Sequence, residues 1–251
     1  MERMHLLLSE MGDFLVDLKG CDCYNINMNN KVYERPRFRK LKPNEYLVFR
    51  NSLKEARLIN EHGEFVFLRE PEVYQQSQNF LLGDGIAGFA VKDNELISAH
   101  KNNQKAKETE VRHILPKMVR CAFKNGAVFG DCYGEFLADY YMKSGFIVAC
   151  KINFDADGEF VPPTWNYEKH GRPDVYLMMR GVKNVAELDR LKTKKLVHSF
   201  DLVEEFVPRF KTYDEAAQFR RDLYNSVKAY GYKNRALMVR EYLKNYKNSS
   251  R

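Results

Sequence analysis

Between Gly85 and Gly181 the chain alternates short apolar runs with stretches of helical periodicity, and this order constrains its fold more than any other feature. "GIAGFAVKDNELISAHKN" (85–102) holds two apolar runs parted by a polar KDNE, the pattern of a β-hairpin. In "VRHILPKMVRCAFKNGA" (111–127), Val111, Ile114, Leu115, Met118, Val119 and Phe123 share one helical face, and Asn125-Gly126 ends it. Pro116 predicts a late start or a kink there. A short strand "VFGDCY" (128–133) follows, then a helix "EFLADYYMKS" (135–144) with Gly145 in its left-handed cap. "FIVACKINFD" (146–155) and "DVYLMMRG" (174–181) read as strands on either side of a turn-rich stretch (156–173). The series predicts an α/β (α+β) fold, a mixed sheet flanked by helices.

The flanks are less regular. Met4, Leu7, Leu8, Met11, Leu15 and Leu18 have helical spacing, and Glu10, Asp13 and Asp17 make that helix amphipathic rather than a signal peptide. "EYLVFRN" (45–51) and "EFVFLRE" (64–70) read as strands, and "SLKEARLI" (52–59) as a short helix capped by Ser52 with Glu55 at the capping-box position. Pro71 opens a further helix (71–81). "NVAELDRLKTK", "YDEAAQFRRDLYNSVKAYG" and "NRALMVREYLKNYK" predict a helical C-terminal region, the middle one aligning Ala216, Phe219, Leu223 and Val227. The chain then divides into an extension with the first part of the fold (1–80), a central core (81–182) and a basic helical region (183–251).

Charge sharpens that last boundary. The formal net charge is +7. Residues 183–251 carry 16 Lys and Arg against 9 Asp and Glu, and the rest of the chain has 25 of each. "KVYERPRFRKLKP" (31–43) is a second basic stretch, in which Arg37-Phe38-Arg39 interleaves cations with an aromatic ring. Both 31–42 and 183–251 suit contact with a nucleic acid; the alternative for 31–42 is an edge strand with basic residues facing water, and for 183–251 a solvated helical face. No apolar run approaches the roughly 20 residues of a membrane helix, which points to a cytoplasmic protein with no membrane partner. Five irregularly spaced cysteines, with Cys21 and Cys23 too close for a C-x-x-C hook, predict reduced thiols and no metal.

Over residues 85–181 the sequence resembles the GNAT superfamily of acyl-coenzyme A-dependent N-acyltransferases. Gly126, the strand "VFGDCY" and above all "LADYYMKSGF" carry the likeness, since Tyr141-Met142-Lys143-Ser144-Gly145-Phe146 matches a helix closing on an aromatic, three residues and Gly-Phe. The resemblance implies that the strands "LISAHKN" and "VFGDCY" splay apart around the donor's pantetheine arm. Ala99 and Lys101 would lie along that arm, with the pyrophosphate at the start of the long helix. It implies Tyr141 as the acid that protonates the leaving thiolate, a role open to a phenol that stays protonated at neutral pH. It implies acetyl-CoA or another acyl-CoA as donor and an amine as acceptor. The chain departs from the family at the phosphate loop, where Gln104-Lys105-Ala106-Lys107-Glu108-Thr109 keeps the first Gln and lacks both glycines. Lys105 and Lys107 would then meet phosphate as point charges, with Gln104 and Thr109 beside them. An aminoacyl-tRNA donor or a degenerate fold kept for binding are the alternatives.

Other residues carry candidate chemistry. His100, at the end of a splayed strand, is a possible base for the amine or an exposed histidine. Asp131 could orient His100, hold the acceptor or cap a turn. Tyr140 and Tyr141 lie roughly 100° apart on a helix, so one faces the core and the other a site. Trp165, Asn166 and Tyr167 could cover a planar acceptor. Cys132 has no neighbouring activator and reads as a buried thiol.

Overall fold

A computed structural model describes residues 37–154, 161, 162, 164–192 and 207–249. The helix expected over 4–18, residues 31–36 of the first basic stretch, Cys21 and Cys23 lie outside them. Eight strands form one sheet: β1 (Phe38–Lys40), β2 (Gln78–Leu82), β3 (Ala87–Lys92), β4 (Glu95–Lys101), β5 (Phe129–Tyr133), β6 (Phe146–Ile152), β7 (Val175–Arg180) and β8 (Arg209–Phe210). Their order is β1-β2-β3-β4-β5-β7-β6-β8, antiparallel except for β4 beside β5 and β6 beside β8. This is the mixed sheet flanked by helices that the sequence predicts.

The predicted hairpin is β3 and β4. Asp93 and Asn94 both take positive φ (49° and 65°), as a two-residue turn of the I′ kind demands. The helix α1 (Tyr46–Ile59) corrects one expectation, because 45–51 is no strand. Phe49, Ser52, Leu53 and Ala56 recur every three or four residues, and burying that stripe overrides the strand preference of Tyr-Leu-Val-Phe. Ser52 is therefore mid-helix and caps nothing. Residues 64–70 make a 3-10 turn (Gly63–Phe65) and an unpaired run, not a strand. The helix expected from Pro71 stops at Gln75 as α2 (Pro71–Gln75) and turns into β2.

α3 (Asn103–Glu108) and α4 (Ile114–Lys124) follow β4. α4 begins late because Pro116 has no N–H and belongs in a first turn. α5 (Gly134–Lys143) leads to β6 through Gly145 at φ +110°. A short α6 (Tyr167–His170) precedes β7, and α7 (Val185–Lys192), α8 (Tyr213–Val227) and α9 (Tyr232–Ser249) complete the described chain.

Strand alternation sorts the core. Leu81, Ala90 and Ile97 face α1 and α2, packing with Phe49, Leu53 and Tyr74. Phe80, Phe89, Val91 and Leu96 face the other way, toward α4, and α5 lies over β6 and β7 on that side. Opposite α5, helix α8 packs on β6 and β7. The basic C-terminal helices are thus built onto the sheet: Ala216, Phe219, Leu223 and Val227 are buried as the periodicity predicts, and Arg220 is buried with them.

Candidate active site

β5 pairs with β4 at two positions only, Glu95 with Phe129 and Leu96 with Gly130. Past them both strands continue, β4 to Lys101 and β5 to Tyr133, without pairing to one another. A bulge opposite Gly88 and Ala90, with Ser98 at φ 51°, turns β4 away. The two strands thus bound a wedge with its apex at Leu96 and Gly130. Its wide end is bridged by the α1–α2 connection. Asn60 Nδ2 donates to the Lys101 carbonyl at 2.5 Å, and the Phe65 ring lies 5.9 Å from that of Tyr133. The same connection is clasped to α6, where Lys169 Nζ donates to the Glu61 carbonyl (2.7 Å) and His170 Nε2 meets the Glu64 carboxylate.

Tyr141 sits on α5, 7 % exposed, with its ring edge-on to Phe146 at 5.6 Å. Its hydroxyl has no hydrogen-bond partner among the described residues. Burial, with Cys132 and Asp131 nearby, pushes the phenol well above its ordinary range, so it is a protonated O–H at any physiological pH. Tyr140, one residue earlier, packs at the surface against Phe136. The pair divides as the helical angle requires, with Tyr141 on the sheet side.

His100 is enclosed, not exposed. It points to the α1 layer, its Nδ1 donating to the Ser98 carbonyl (3.0 Å) and its Nε2 lying 3.2 Å from Ser52 Oγ. Gly88 makes room for it, since a Cβ there would stand 2.5 Å from the ring. Burial lowers its pKa to about 4, and the imidazole is neutral. Asp131 is held elsewhere: Tyr213 Oη donates to one oxygen at 2.8 Å and Arg220 Nη1 to the other at 2.6 Å. No hydrogen bond joins Asp131 to His100.

The segment read as a phosphate loop is the helix α3. Without glycines, Gln-Lys-Ala-Lys-Glu are all good helix formers, and Asn102 caps them by accepting from the Lys105 N–H. Lys105 Nζ is committed to Glu55 (2.8 Å) and the Asp84 carbonyl (3.0 Å). Gln104 donates to Glu108 and Thr109 to the Lys105 carbonyl, while Lys107 is exposed. Ala99 packs half-buried against the main core.

Trp165 is a core residue. It donates Nε1–H to the Gly171 carbonyl (3.1 Å) and stacks among Phe154, Phe65 and His170. Asn166 caps α6 by accepting from the Lys169 N–H, and Tyr167 lies exposed beneath Arg172. Of these three, Asn166 and Tyr167 are exposed and Trp165 is buried. Cys132 and Cys150 are buried free thiols whose pKa burial raises.

Sequence reasoning missed Arg220, Glu95, Tyr213 and the Glu64–His170 contact. Arg220 had left a signal: it stands four residues after Ala216 and three before Leu223, inside an apolar stripe.

No protein-family model and no curated protein matches this chain. Among solved structures it is similar to the ribosomal-protein-S18-alanine N-acetyltransferase of Escherichia coli (16% identity, 57% of this chain and 91% of that one, TM-score 0.38). It is similar to the ribosomal-protein-S5-alanine acetyltransferase of Vibrio fischeri (12% identity, 58% and 92%, TM-score 0.37). A GNAT-family acetyltransferase of Staphylococcus aureus also matches (11%, 57% and 97%, TM-score 0.30). The order of elements over 85–181 and the splayed β4–β5 pair are those the sequence resemblance implies. No helix among the described residues is long and apolar enough to cross a membrane.

Proposed function

We propose that this protein transfers an acyl group from a thioester to an amine. The observation that carries the reading is the open β4–β5 wedge with the unpartnered Tyr141 hydroxyl next to the Cys132 edge of β5. In this reading the amine nitrogen attacks the thioester carbonyl. The tetrahedral adduct then collapses, the C–S bond breaks, and Tyr141 gives its proton to the departing sulfur. Holding both reactants in one wedge supplies much of the acceleration. An acyl-coenzyme A is the donor class. Its pantetheine amides would find β4 backbone near Ala99, and its phosphates would meet Lys107, since Lys105 is held by Glu55. His100 and Asp131 act by positioning: each is held by internal hydrogen bonds, and the acceptor releases its proton to solvent.

The test uses acetyl-CoA and a panel of primary amines, read by mass spectrometry. Tyr141→Phe is expected to lower turnover by about 10²–10⁴. Its melting temperature should stay unchanged, because no hydrogen bond is lost. Equal turnover in the variant and the parent, or no acetyl-CoA binding by the parent, overturns the reading.

A second reading is a binding module that keeps the fold without the chemistry. The committed Lys105 and the bridged wide end of the wedge favour it. For nucleic acid as its partner, part of the C-terminal charge is spent internally. Arg220 and Arg235 are buried and Arg209 is paired with Asp174. Binding of random-sequence DNA that weakens steeply with salt would support this reading, and salt-independent or absent binding would remove it.

A further inference from the structure

The apex of the wedge is where two parallel strands stop pairing, and two ladder positions are a weak hold on an angle. Beside the apex stands Arg220, carried by α8 and 1 % exposed. Its Nη2 donates to Glu95 Oε1 on β4 at 2.5 Å, and its Nη1 to Asp131 Oδ1 on β5 at 2.6 Å. Glu95 belongs to the first paired position and Asp131 is the first residue of β5 beyond the last. The guanidinium therefore crosses from the closed part of the junction to the open part. Phe129 lies under it at 4.6 Å, and Tyr213 fills the second oxygen of Asp131.

The packing of β4 is incomplete beside Glu95. A hollow of about 190 Å³, lined by Arg69, Val73, Lys92, Asp93, Glu95 and Ile97, adjoins Glu95. A buried ionic trio is also a poor way to gain stability, because well-packed apolar side chains of similar volume often do as well or better. What the trio offers is geometry. The two Nη atoms of a planar guanidinium are a fixed distance apart, and a lysine ammonium cannot reproduce the fork.

We infer that Arg220 is a positioning residue that sets the opening of the wedge, acting through Glu95 on one strand and Asp131 on the other. The C-terminal helix α8 thereby governs a site to which it contributes no reacting group. The link to catalysis rests on the acyl-transfer reading, whereas the link to wedge geometry does not.

The experiment compares the full chain with Arg220→Lys, and with Arg220→Met combined with Glu95→Leu and Asp131→Leu. Both are read by amide hydrogen exchange and acetyl-CoA affinity. In Arg220→Lys, amides of 95–101 and 129–133 are expected to exchange about ten-fold faster, with those of β6 and β7 unchanged. Acetyl-CoA should bind about ten-fold more weakly. The apolar triple variant is expected to recover the parental melting temperature without recovering protection at 95–101. Uniform loosening across the sheet, no loosening at all, or full recovery of local protection in the triple variant overturns the inference. If the parent binds no acetyl-CoA while Arg220→Lys still loosens only the two strands, acyl transfer fails and the positioning role stands.

Discussion

β5 has two neighbours, and it treats them differently. Toward β7 all five of its residues are paired, from Phe129 with Met179 to Tyr133 with Val175. Toward β4 only Phe129 and Gly130 are. The closed border is apolar and needs nothing more, since Leu177, Met178 and Met179 are fully buried. The open border is served by charge at its apex, through Arg220, Glu95 and Asp131, and by aromatic rings at its wide end, through Phe65, Tyr133 and Trp165. A sheet can leave a strand edge unpaired where water, a ligand or side chains from other elements meet its free N–H and C=O groups. The open border is therefore the place where substitutions should separate geometry from stability.

The largest expected effect breaks the apex. Arg220→Met leaves two carboxylates facing each other in a partly buried site and should cost about 4 kcal/mol in urea unfolding. Glu95, whose pKa burial and Asp131 already raise, would take up a proton in response. A loss below about 1 kcal/mol would mean that the open border is held by packing, like the closed one.

Next comes the pH dependence of β4 beyond the parting. Burial in the folded chain lowers the His100 pKa to about 4 from its ordinary 6.5, so the unfolded chain binds the extra proton first. The stability tied to neutral His100 is complete above pH 6.5. It is lost as pH falls toward 4, by an amount on the order of 3 kcal/mol. Urea midpoints at pH 7 and pH 4 should fall less in His100→Gln than in the parent. Equal falls would show that His100 is as accessible as an open-edge residue.

A smaller effect belongs to the closed border. Gly145 at φ +110° ends α5, accepts from the Gly181 N–H, and stands where a Cβ would meet Leu188 Cδ1 at 2.9 Å. Gly145→Ala should lower stability by about 2 kcal/mol while leaving exchange at 97–101 unchanged. Faster exchange there would show that the two borders are coupled.

The smallest effect is at the wide end. Lys105 and Glu55 form a part-exposed ion pair, and Lys105→Met should change stability by under about 1 kcal/mol. If acetyl-CoA affinity nonetheless dropped ten-fold (about 1.4 kcal/mol), Lys105 would be leaving Glu55 to meet phosphate.

Much of the sheet was legible because each segment there carries its own signal. The hairpin turn at Asp93-Asn94, the Gly145 cap and the apolar runs of β6 and β7 are local features, and local chemistry decides them. The strand expected at 45–51 failed because four apolar residues fit a strand until the stripe is followed to Ala56. Residues 64–70 failed because an apolar run needs a partner edge to become a strand, and none pairs with it. The site was legible in part. The motif marked Tyr141, and the helix turns it toward the sheet. His100 and Asp131 looked like a pair because both sit where two strands diverge, yet each is claimed by a helix remote in sequence, α1 through Ser52 and α8 through Arg220.

The sequence by itself determined the β3–β4 hairpin turn, the Gly145 cap, the apolar strands β6 and β7, and the buried stripe of α8. These are short-range matters of torsion, capping and periodicity. Tertiary structure alone decided that a C-terminal arginine stands at the junction of β4 and β5, and that the wide end of their wedge is bridged by residues 60–65. Those contacts join positions up to 125 residues apart. No local preference encodes such a distance, because what fixes it is the pairing of a buried charge at the apex and of polar and aromatic groups at the wide end, which only the assembled fold brings together.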